Sequence, residues 1–223
     1  MNERDAATEA LIREVDEDLK RDQFDKLWKA YGNYIVAGAV ALVLGVAGNE
    51  AWNHWKTGQA QAESASYLAA SQQASRSKDM SGLDDLAKNG KTVYASLASF
   101  QKAGHLTFSQ DLTNAVLAYQ AAAASKEMGP LYQSAARLHA LMLEIDSGEP
   151  ARLESELAPL AAANEPWRHS SLELQALLAL RTGNNDKAKD ILAVLADDAT
   201  APQGLRARAA ELRQALEAKG RSL

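Results

Sequence analysis

The chain has 223 residues, of which 24 are Lys or Arg and 29 are Asp or Glu, giving a formal charge of −5. This mild acidity offers no basic surface to neutralise phosphates, so no nucleic-acid partner is expected. The absence of cysteine excludes disulfides, thiolate metal sites and a cysteine nucleophile. Alanine and leucine are abundant, whereas β-branched and aromatic residues are sparse outside one apolar run, so we predict an all-α fold.

An amphipathic N-terminal helix is predicted over residues 5–30. Its apolar residues recur at three- and four-residue spacing, and charged residues fill the opposite face. The apolar positions are Ile12, Val15, Leu19, Phe24, Leu27, Trp28 and Tyr31. Two interpretations remain open. The helix lies on a membrane surface or continues into the next segment, or its acidic face docks a cytosolic partner.

A single transmembrane helix is predicted at residues 31–55. The run Tyr34–Gly48 holds 15 residues without a charged or amide side chain. It would rise about 22 Å as a helix, short of the roughly 30 Å hydrocarbon core. Extension from Tyr31 to Trp52 gives 22 residues, or about 33 Å. Trp28, Tyr31 and Tyr34 border one end, and Trp52 and Trp55 border the other, as aromatic residues do at membrane interfaces.

Three other interpretations of the apolar run were weighed. A cleaved signal peptide fits its length, but about 33 residues precede it, nine of them acidic, where a signal peptide has a short basic region. A buried core helix would need other helices packed all round it. An interfacial helix is excluded because the run has no polar face.

The charge flanking the predicted span gives its orientation. Lys20, Arg21, Lys26 and Lys29 precede it, whereas Lys56 alone follows within a similar distance. The positive-inside rule therefore predicts a cytoplasmic N-terminus and an exported C-terminal domain, which makes the span a signal anchor.

Small residues repeat at four-residue intervals within the span. They are either a face that packs against another membrane protein, or the small residues common in membrane helices. The residues assigned to the span are Tyr34, Ala37, Ala41, Gly45 and Gly48.

Residues 56–223 are predicted to form one helical repeat domain. Its first helices are expected at Lys56–Ser77, at Ser81–Asn89, around Val93–Phe100 and around Leu112–Tyr119. Beyond these, residues 129–142 align without a gap on residues 165–178, with five identical pairs at a step of 36. The same step reaches Pro202. Prolines are therefore predicted to open three successive helices, at Pro130, Pro166 and Pro202.

The repeat step is typical of tetratricopeptide-type helix pairs, with Gly148 and Gly183 supplying the turns. Pro159 breaks the pattern, because it should kink the predicted second helix of a repeat, Ala151–Ala163. The chain is expected to close with an amphipathic helix, Leu205–Lys219, whose polar outer face keeps the repeat domain soluble.

No catalytic or metal-binding constellation is recognisable. His139 and His169 lie on predicted helices of neighbouring repeats, far apart in sequence, and Glu173, four residues after His169, is the single acidic residue at i+3 or i+4 from either, too few ligands for a metal site. Asp197 and Asp198 are interpreted as capping or solvated residues near a helix end. We therefore expect no metal, no cofactor, no small-molecule substrate and no enzymatic activity.

Three stretches together resemble the YfgM-like proteins of Gram-negative bacteria, in their alphaproteobacterial form. They are residues 13–19 with Lys26-Leu-Trp-Lys29; the span ending Gly45-Val-Ala-Gly-Asn-Glu-Ala-Trp52; and Ala158-Pro-Leu160 with Glu165-Pro-Trp-Arg-His-Ser170 and Leu180-Arg-Thr-Gly183. The resemblance implies a single-pass inner-membrane protein with a periplasmic tetratricopeptide-like domain. It also implies an ancillary role at the Sec translocon, beside a periplasmic chaperone and exported clients.

The leading hypothesis is a membrane-tethered scaffold that assists chaperones and binds other proteins. Its candidate contact residues are Tyr132, Arg137, Arg168 and Glu173, each of which also fits an ordinary surface or packing role. The alternative is a regulatory membrane protein whose N-terminal helix controls a soluble cytosolic partner. A structural subunit of an envelope complex is not distinguished from the scaffold by sequence.

Overall fold

The computed structural model describes the backbone of residues 3–221 and the side chains of residues 27–218. Within that part of the chain every regular element is an α-helix, which confirms the predicted all-α fold. The helices are α1 (Glu3–Ser77), α2 (Ser81–Asn89), α3 (Val93–Phe108), α4 (Leu112–Ala124), α5 (Pro130–Leu143), α6 (Pro150–Leu160), α7 (Arg168–Arg181), α8 (Asn185–Asp197) and α9 (Gln203–Arg221).

Helix α1 joins three segments that the sequence analysis described one after another. It continues without a break through the predicted amphipathic segment, the apolar run and the helix expected at 56–77. The amphipathic pattern of residues 5–30 falls mainly on side chains outside the described range. Its proposed docking role therefore stays a prediction.

Two compact units divide the chain, the first ending at Gly58 and the second beginning at Gln59. The first unit is helical from Glu3. From residue 33 to residue 58 every side chain of this unit is exposed, including all of the apolar run. The functional division predicted at residues 30 and 55 is not tested by this boundary.

The second unit is built by helices that pack mainly on their neighbours in sequence. Each helix from α2 to α8 contacts the next one along the chain, and α7 also touches α9. Nearest-neighbour packing of this kind is the physical signature of a helical repeat domain. At its start, α2 approaches α1 closely, since a Cβ atom on Gly82 would lie 2.9 Å from that of Ala70.

The prolines mark the helix starts, with small shifts from the prediction. Pro130 occupies the first turn of α5, where its missing N–H has no partner to lose. Helix α7 begins two residues after Pro166, and α9 begins one residue after Pro202. The carbonyl of Pro202 accepts hydrogen bonds from the next turn, so this proline precedes the helix instead of entering it. The pattern also missed Pro150, which opens α6.

Helix α6 corrects the predicted kink at Pro159. The helix spans Pro150–Leu160, shorter than the expected Ala151–Ala163, and Pro159 lies in its last turn. The Ala161 N–H donates to the Leu157 and Ala158 carbonyls, so the helix tightens and ends there. Proline at this position deprives the helix of one backbone hydrogen bond, and the helix ends one residue later. The closing helix α9 is slightly longer than the predicted 205–219.

The core changes character along the repeat domain. Between α3, α4 and α5 it is rich in alanine and surrounds Tyr119, whereas between α5, α6 and α7 it consists of leucines. His139 stacks on Tyr119 with ring centroids 5.1 Å apart and meets the edge of Phe100 at 5.6 Å. Burial lowers the pKa of His139, so the ring packs as a neutral aromatic group.

Candidate interaction surface

The apolar run of α1 is the first candidate surface. The helix segment Leu27–Ser77 is long and apolar enough to cross a membrane, and its most apolar stretch is almost entirely exposed. A helix that formed the core of a soluble domain would be mostly buried. Transfer of each exposed valine or leucine out of water is worth about 1.5–3 kcal/mol. The run therefore carries a large apolar surface that the described part of the chain leaves uncovered.

Two of the predicted contact residues, Tyr132 and Arg137, lie on α5 and are exposed. Arg137 forms no ion pair within the described residues. It lines a groove of about 220 Å³ together with Gln120, Ala140 and Glu144, among others. One carboxylate oxygen of Glu144, Oε2, is buried there without a hydrogen-bond partner among the described residues.

The other two predicted contact residues, Arg168 and Glu173, lie on α7 and are engaged within the domain. Arg168 Nη1 lies 2.6 Å from Oδ2 of Asp198. The carboxylate of Glu173 accepts from Nε and Nη2 of Arg208 on α9, at 2.9 and 3.2 Å. These two side chains link neighbouring helices, whereas neither Tyr132 nor Arg137 forms an ion pair within the described residues.

Asp198 is the centre of the bonding at the start of α7. It ends α8 and accepts from Arg168 and from both the backbone N–H and the hydroxyl of Thr200. His169 Nε2 lies 3.1 Å from the same carboxylate. Hydrogen bonds from Thr200 and Arg168 hold the pKa of Asp198 well below its usual range. The residue is therefore a fixed anion that joins α7 to the turn before α9.

A second groove opens where α1 and α3 end. Its volume is about 530 Å³, and its lining is mainly apolar. The residues that line it are Ala74, Ser75, Lys78, Met80, His105, Phe108 and Ser109. Phe108 is 85% exposed, the highest value among the large apolar residues of the described chain.

The described residues contain no group of three or more His, Asp or Glu side chains placed to hold a metal ion. His139 and His169, the histidines singled out from the sequence, lie on different helices with different neighbours. The first stacks in the aromatic core, and the second faces Asp198 and Thr200.

Comparison with known families decides what kind of domain these helices form. The profile described as "Tetratricopeptide repeat-like domain" matches residues 25–219, most of the chain. The chain belongs to the tetratricopeptide repeat-like domain family. Neither a curated protein nor a solved structure gives a significant match. The predicted tetratricopeptide-type repeat is confirmed, and the narrower YfgM-like resemblance stays a prediction.

The family match also covers the apolar run. It starts at residue 25, ahead of Tyr34, so the uncovered helix belongs to the matched tetratricopeptide-like chain and is not an appendage outside it. Domains of this family are typically interaction modules without catalysis, and their partners are proteins.

Sequence patterns could have found only part of this surface. The Asp198-Ala199-Thr200 spacing indicates a turn in which an aspartate accepts from the residue two positions on. It gives no sign of Arg168, which lies 30 residues earlier. Nothing in the sequence distinguishes exposed Phe108 from Phe100, which packs in the aromatic core of the tetratricopeptide-like domain.

Proposed function

We propose that this protein is a membrane-tethered scaffold whose tetratricopeptide-like domain binds other proteins on the periplasmic side of a bacterial inner membrane. The observation that carries the proposal is the uncovered apolar run of α1 within a chain that belongs to an interaction family. Lipid would cover that surface, and the repeat domain would supply the binding surface.

The orientation follows from the basic residues before the span. Lys20, Arg21, Lys26 and Lys29 would hold the N-terminus in the cytoplasm, because positively charged flanks stay on that side. The tetratricopeptide-like domain would then be exported. As part of this proposal, we assign the protein an ancillary role at the Sec translocon, beside a periplasmic chaperone that receives exported clients.

Tethering supports this role physically. A domain held at the membrane has a high effective concentration near other membrane machinery, so individually weak contacts suffice. A scaffold of this kind needs no catalytic group, no cofactor and no metal. Tyr132 and Arg137 are the proposed contact residues, since both are exposed and neither is tied into an ion pair of the described chain.

Site-specific photo-cross-linking in intact cells tests the proposal. A benzophenone amino acid placed at Tyr132 or Arg137 should trap a translocon subunit or a periplasmic chaperone. The same probe at Gln214, an exposed position on α9, is the matched control. Cross-links to cytosolic proteins alone, or identical products at all three positions, would contradict the proposal.

Protease treatment of spheroplasts tests the orientation independently. We expect the repeat domain to be digested from outside while the membrane stays intact. A domain that is protected until detergent is added would place it in the cytoplasm. That result would overturn both the proposed topology and the periplasmic role.

A further inference from the structure

Three rings from three helices meet in the alanine-rich core of the repeat domain. Phe100 comes from α3, Tyr119 from α4 and His139 from α5, and each ring contacts the other two at centroid distances of 5.1 to 5.6 Å. The buried residues around them are mainly alanines. Because alanine offers little apolar surface, the three rings supply much of the apolar contact that joins α5 to α3 and α4.

His139 is the member of this cluster that can gain a charge near neutral pH. Its ring is half-buried and forms no hydrogen bond or ion pair within the described residues. Burial lowers its pKa, because the charged form of the ring loses hydration there. Burial also raises the pKa of Tyr119, so the ring that stacks on His139 stays neutral. A proton on His139 therefore adds a positive charge to a contact that is otherwise uncharged.

The helices that meet at this cluster carry no carboxylate to compensate such a charge. Over the full lengths that the structure describes, α3, α4 and α5 contain no Asp or Glu, although the chain has 29 acidic residues. Their other basic side chains are Lys102, His105 and Arg137. A proton on His139 therefore joins helices whose remaining charges are positive.

The carboxylates of the adjoining segments are held elsewhere. Their partners among the described residues are Gln73 and Ser81 for Asp79, Lys102 for Asp84, Asn114 for Asp111, and Arg152 for both Glu144 and Glu156. Glu127, in the α4–α5 connection, lines a different groove beside Thr92. None of these groups contributes to the pKa of His139, which is shifted by burial alone.

We propose that this three-ring contact is an acid-sensitive switch, in which protonation of His139 loosens the packing of α5 on α3 and α4 and loss of the proton restores it. The charged ring regains hydration when α5 loosens, whereas the neutral ring is most stable in the packed core. Because Tyr132 and Arg137 also lie on α5, acid would alter the proposed contact surface. That consequence, unlike the switch itself, rests on the proposed scaffold function.

The direction of the pKa shift sets the pH range of the switch. Above the ordinary value of 6.5 the ring is neutral in both forms, so the packed form has its full stability. As the pH falls from 6.5 to the lower pKa of the packed form, the loosened form takes up the proton first and is favoured. The contacts of Glu63 and Asp198 persist in this range, since the pKa of each lies below its ordinary value of 4.5 or 3.8.

Hydrogen–deuterium exchange on the full-length protein in nanodiscs tests the switch. The protection of α5 amides, corrected for the intrinsic exchange rate, is compared at about pH 7.5 and about pH 5 in the wild type and in His139→Phe. We expect protection in the wild type to fall about threefold or more, because each unit between the two pKa values is worth tenfold. In His139→Phe it should not change with pH. Equal falls in both proteins, or no fall in the wild type, would overturn the inference.

Further variants separate the proton from the packing. His139→Leu also removes the ionisable group but has a different shape, and it too should lose the response to acid. His105→Gln is the matched control, since it removes a histidine from α3 outside the three-ring contact, and it should respond as the wild type does. A response that disappears in His105→Gln and persists in His139→Leu would contradict the assignment.

Two other results would also contradict the switch. An equal loss of protection in α8 at the lower pH would show general acid unfolding. Greater protection of α5 in acid would show that the face of Tyr119 binds the charged ring by a cation–π contact and strengthens the packing.

Cross-linking at Tyr132 connects the switch to the proposed function. Its yield should fall in acid for the wild type and stay constant for His139→Phe. If no translocon subunit or chaperone is trapped at either pH, the scaffold function fails, whereas hydrogen exchange still decides whether the switch exists.

Discussion

The carboxylate of Glu63 on α1 binds Thr92, the N-cap residue of α3, which lies 29 residues later in the chain. One oxygen accepts from the Lys91 N–H at 2.7 Å, and the other accepts from the N–H and hydroxyl of Thr92 at 3.0 and 2.7 Å. Thr92 in turn caps α3 through the Tyr94 N–H. Burial alone would raise the pKa of Glu63, but these hydrogen bonds outweigh it and lower the pKa.

Glu63→Ala should destabilise the repeat domain by about 1.5–3 kcal/mol, because hydrogen bonds to a charged acceptor are lost. Since the folded-state pKa lies below the ordinary value of 4.5, the stabilisation is complete above that value. It disappears as the pH falls through the folded-state pKa. Urea unfolding in detergent at neutral and acidic pH measures both effects. Glu211→Ala, an exposed position on α9, is the control and should show neither.

Asp198→Asn should loosen the junction between α7 and α9. The amide replaces an anion that Thr200, Arg168 and His169 all contact, so the melting temperature should fall. Because the pKa of Asp198 is depressed, its stabilisation is present above the ordinary value of 3.8 and is lost only in stronger acid. The variant and the wild type should therefore converge at low pH. Asp197→Asn changes an exposed neighbour, and an equal effect there would contradict the assignment.

Gly183→Ala should cost about 1 kcal/mol, because the residue has a φ of 77° between α7 and α8 and alanine disfavours this conformation. A Cβ atom there would meet no other atom within 4 Å, so the cost would come from the backbone alone. Gly129→Ala is the matched control. Its φ is −62°, and it also has open space, so its stability should be unchanged or slightly increased. Thermal unfolding followed by circular dichroism compares them.

Leu195→Ala should destabilise the final helices by about 2–5 kcal/mol, the usual cost of a cavity in a core. Leu195 is fully buried between α7, α8 and α9. Its neighbour Val194 is 53% exposed, and Val194→Ala should change stability by less than about 0.5 kcal/mol. Chemical denaturation of both variants gives the comparison. Similar losses of stability for the two variants would contradict the burial of Leu195 and the exposure of Val194 on α8.

Leu42→Arg should reduce membrane insertion. It lies near the middle of the apolar run, where a charge costs about 2.5–3.5 kcal/mol on insertion scales. Asn49→Arg places the same charge at the predicted boundary, where interfacial water reaches it. Carbonate extraction should leave the second variant in the membrane and release part of the first. Complete release of the wild-type protein would show that the run does not span a bilayer.

The fold class and the repeat step were predictable because they depend on local properties of the sequence. Alanine and leucine content favours helices whatever their neighbours, and the shared residues of the α5 and α7 segments lie at a constant spacing. Helix ends were harder to place. Pro166 and Pro202 signal helix starts correctly, but only the packed turns decide that α7 and α9 begin one or two residues later.

The candidate surface was predictable only in outline. The sequence singled out Arg168 and Glu173 together with Tyr132 and Arg137, and it had no means of separating the two pairs. Because α7 packs against the α8–α9 turn and against α9, Arg168 forms an ion pair with Asp198, and Glu173 forms one with Arg208. Tyr132 and Arg137 lie on α5, where no described side chain forms an ion pair with them. Their role in binding a partner stays a prediction.

By itself, the sequence determined that this protein is helical, repeated and provided with one apolar run long enough for a membrane, since composition and spacing act within one helix. Only the tertiary structure decided which charges pair and which apolar groups stay outside. Asp198 meets Arg168 across 30 residues, and Phe108 lies beside Lys78 because α1 and α3 end together. Such contacts depend on how helices distant in sequence approach one another, which no local pattern encodes.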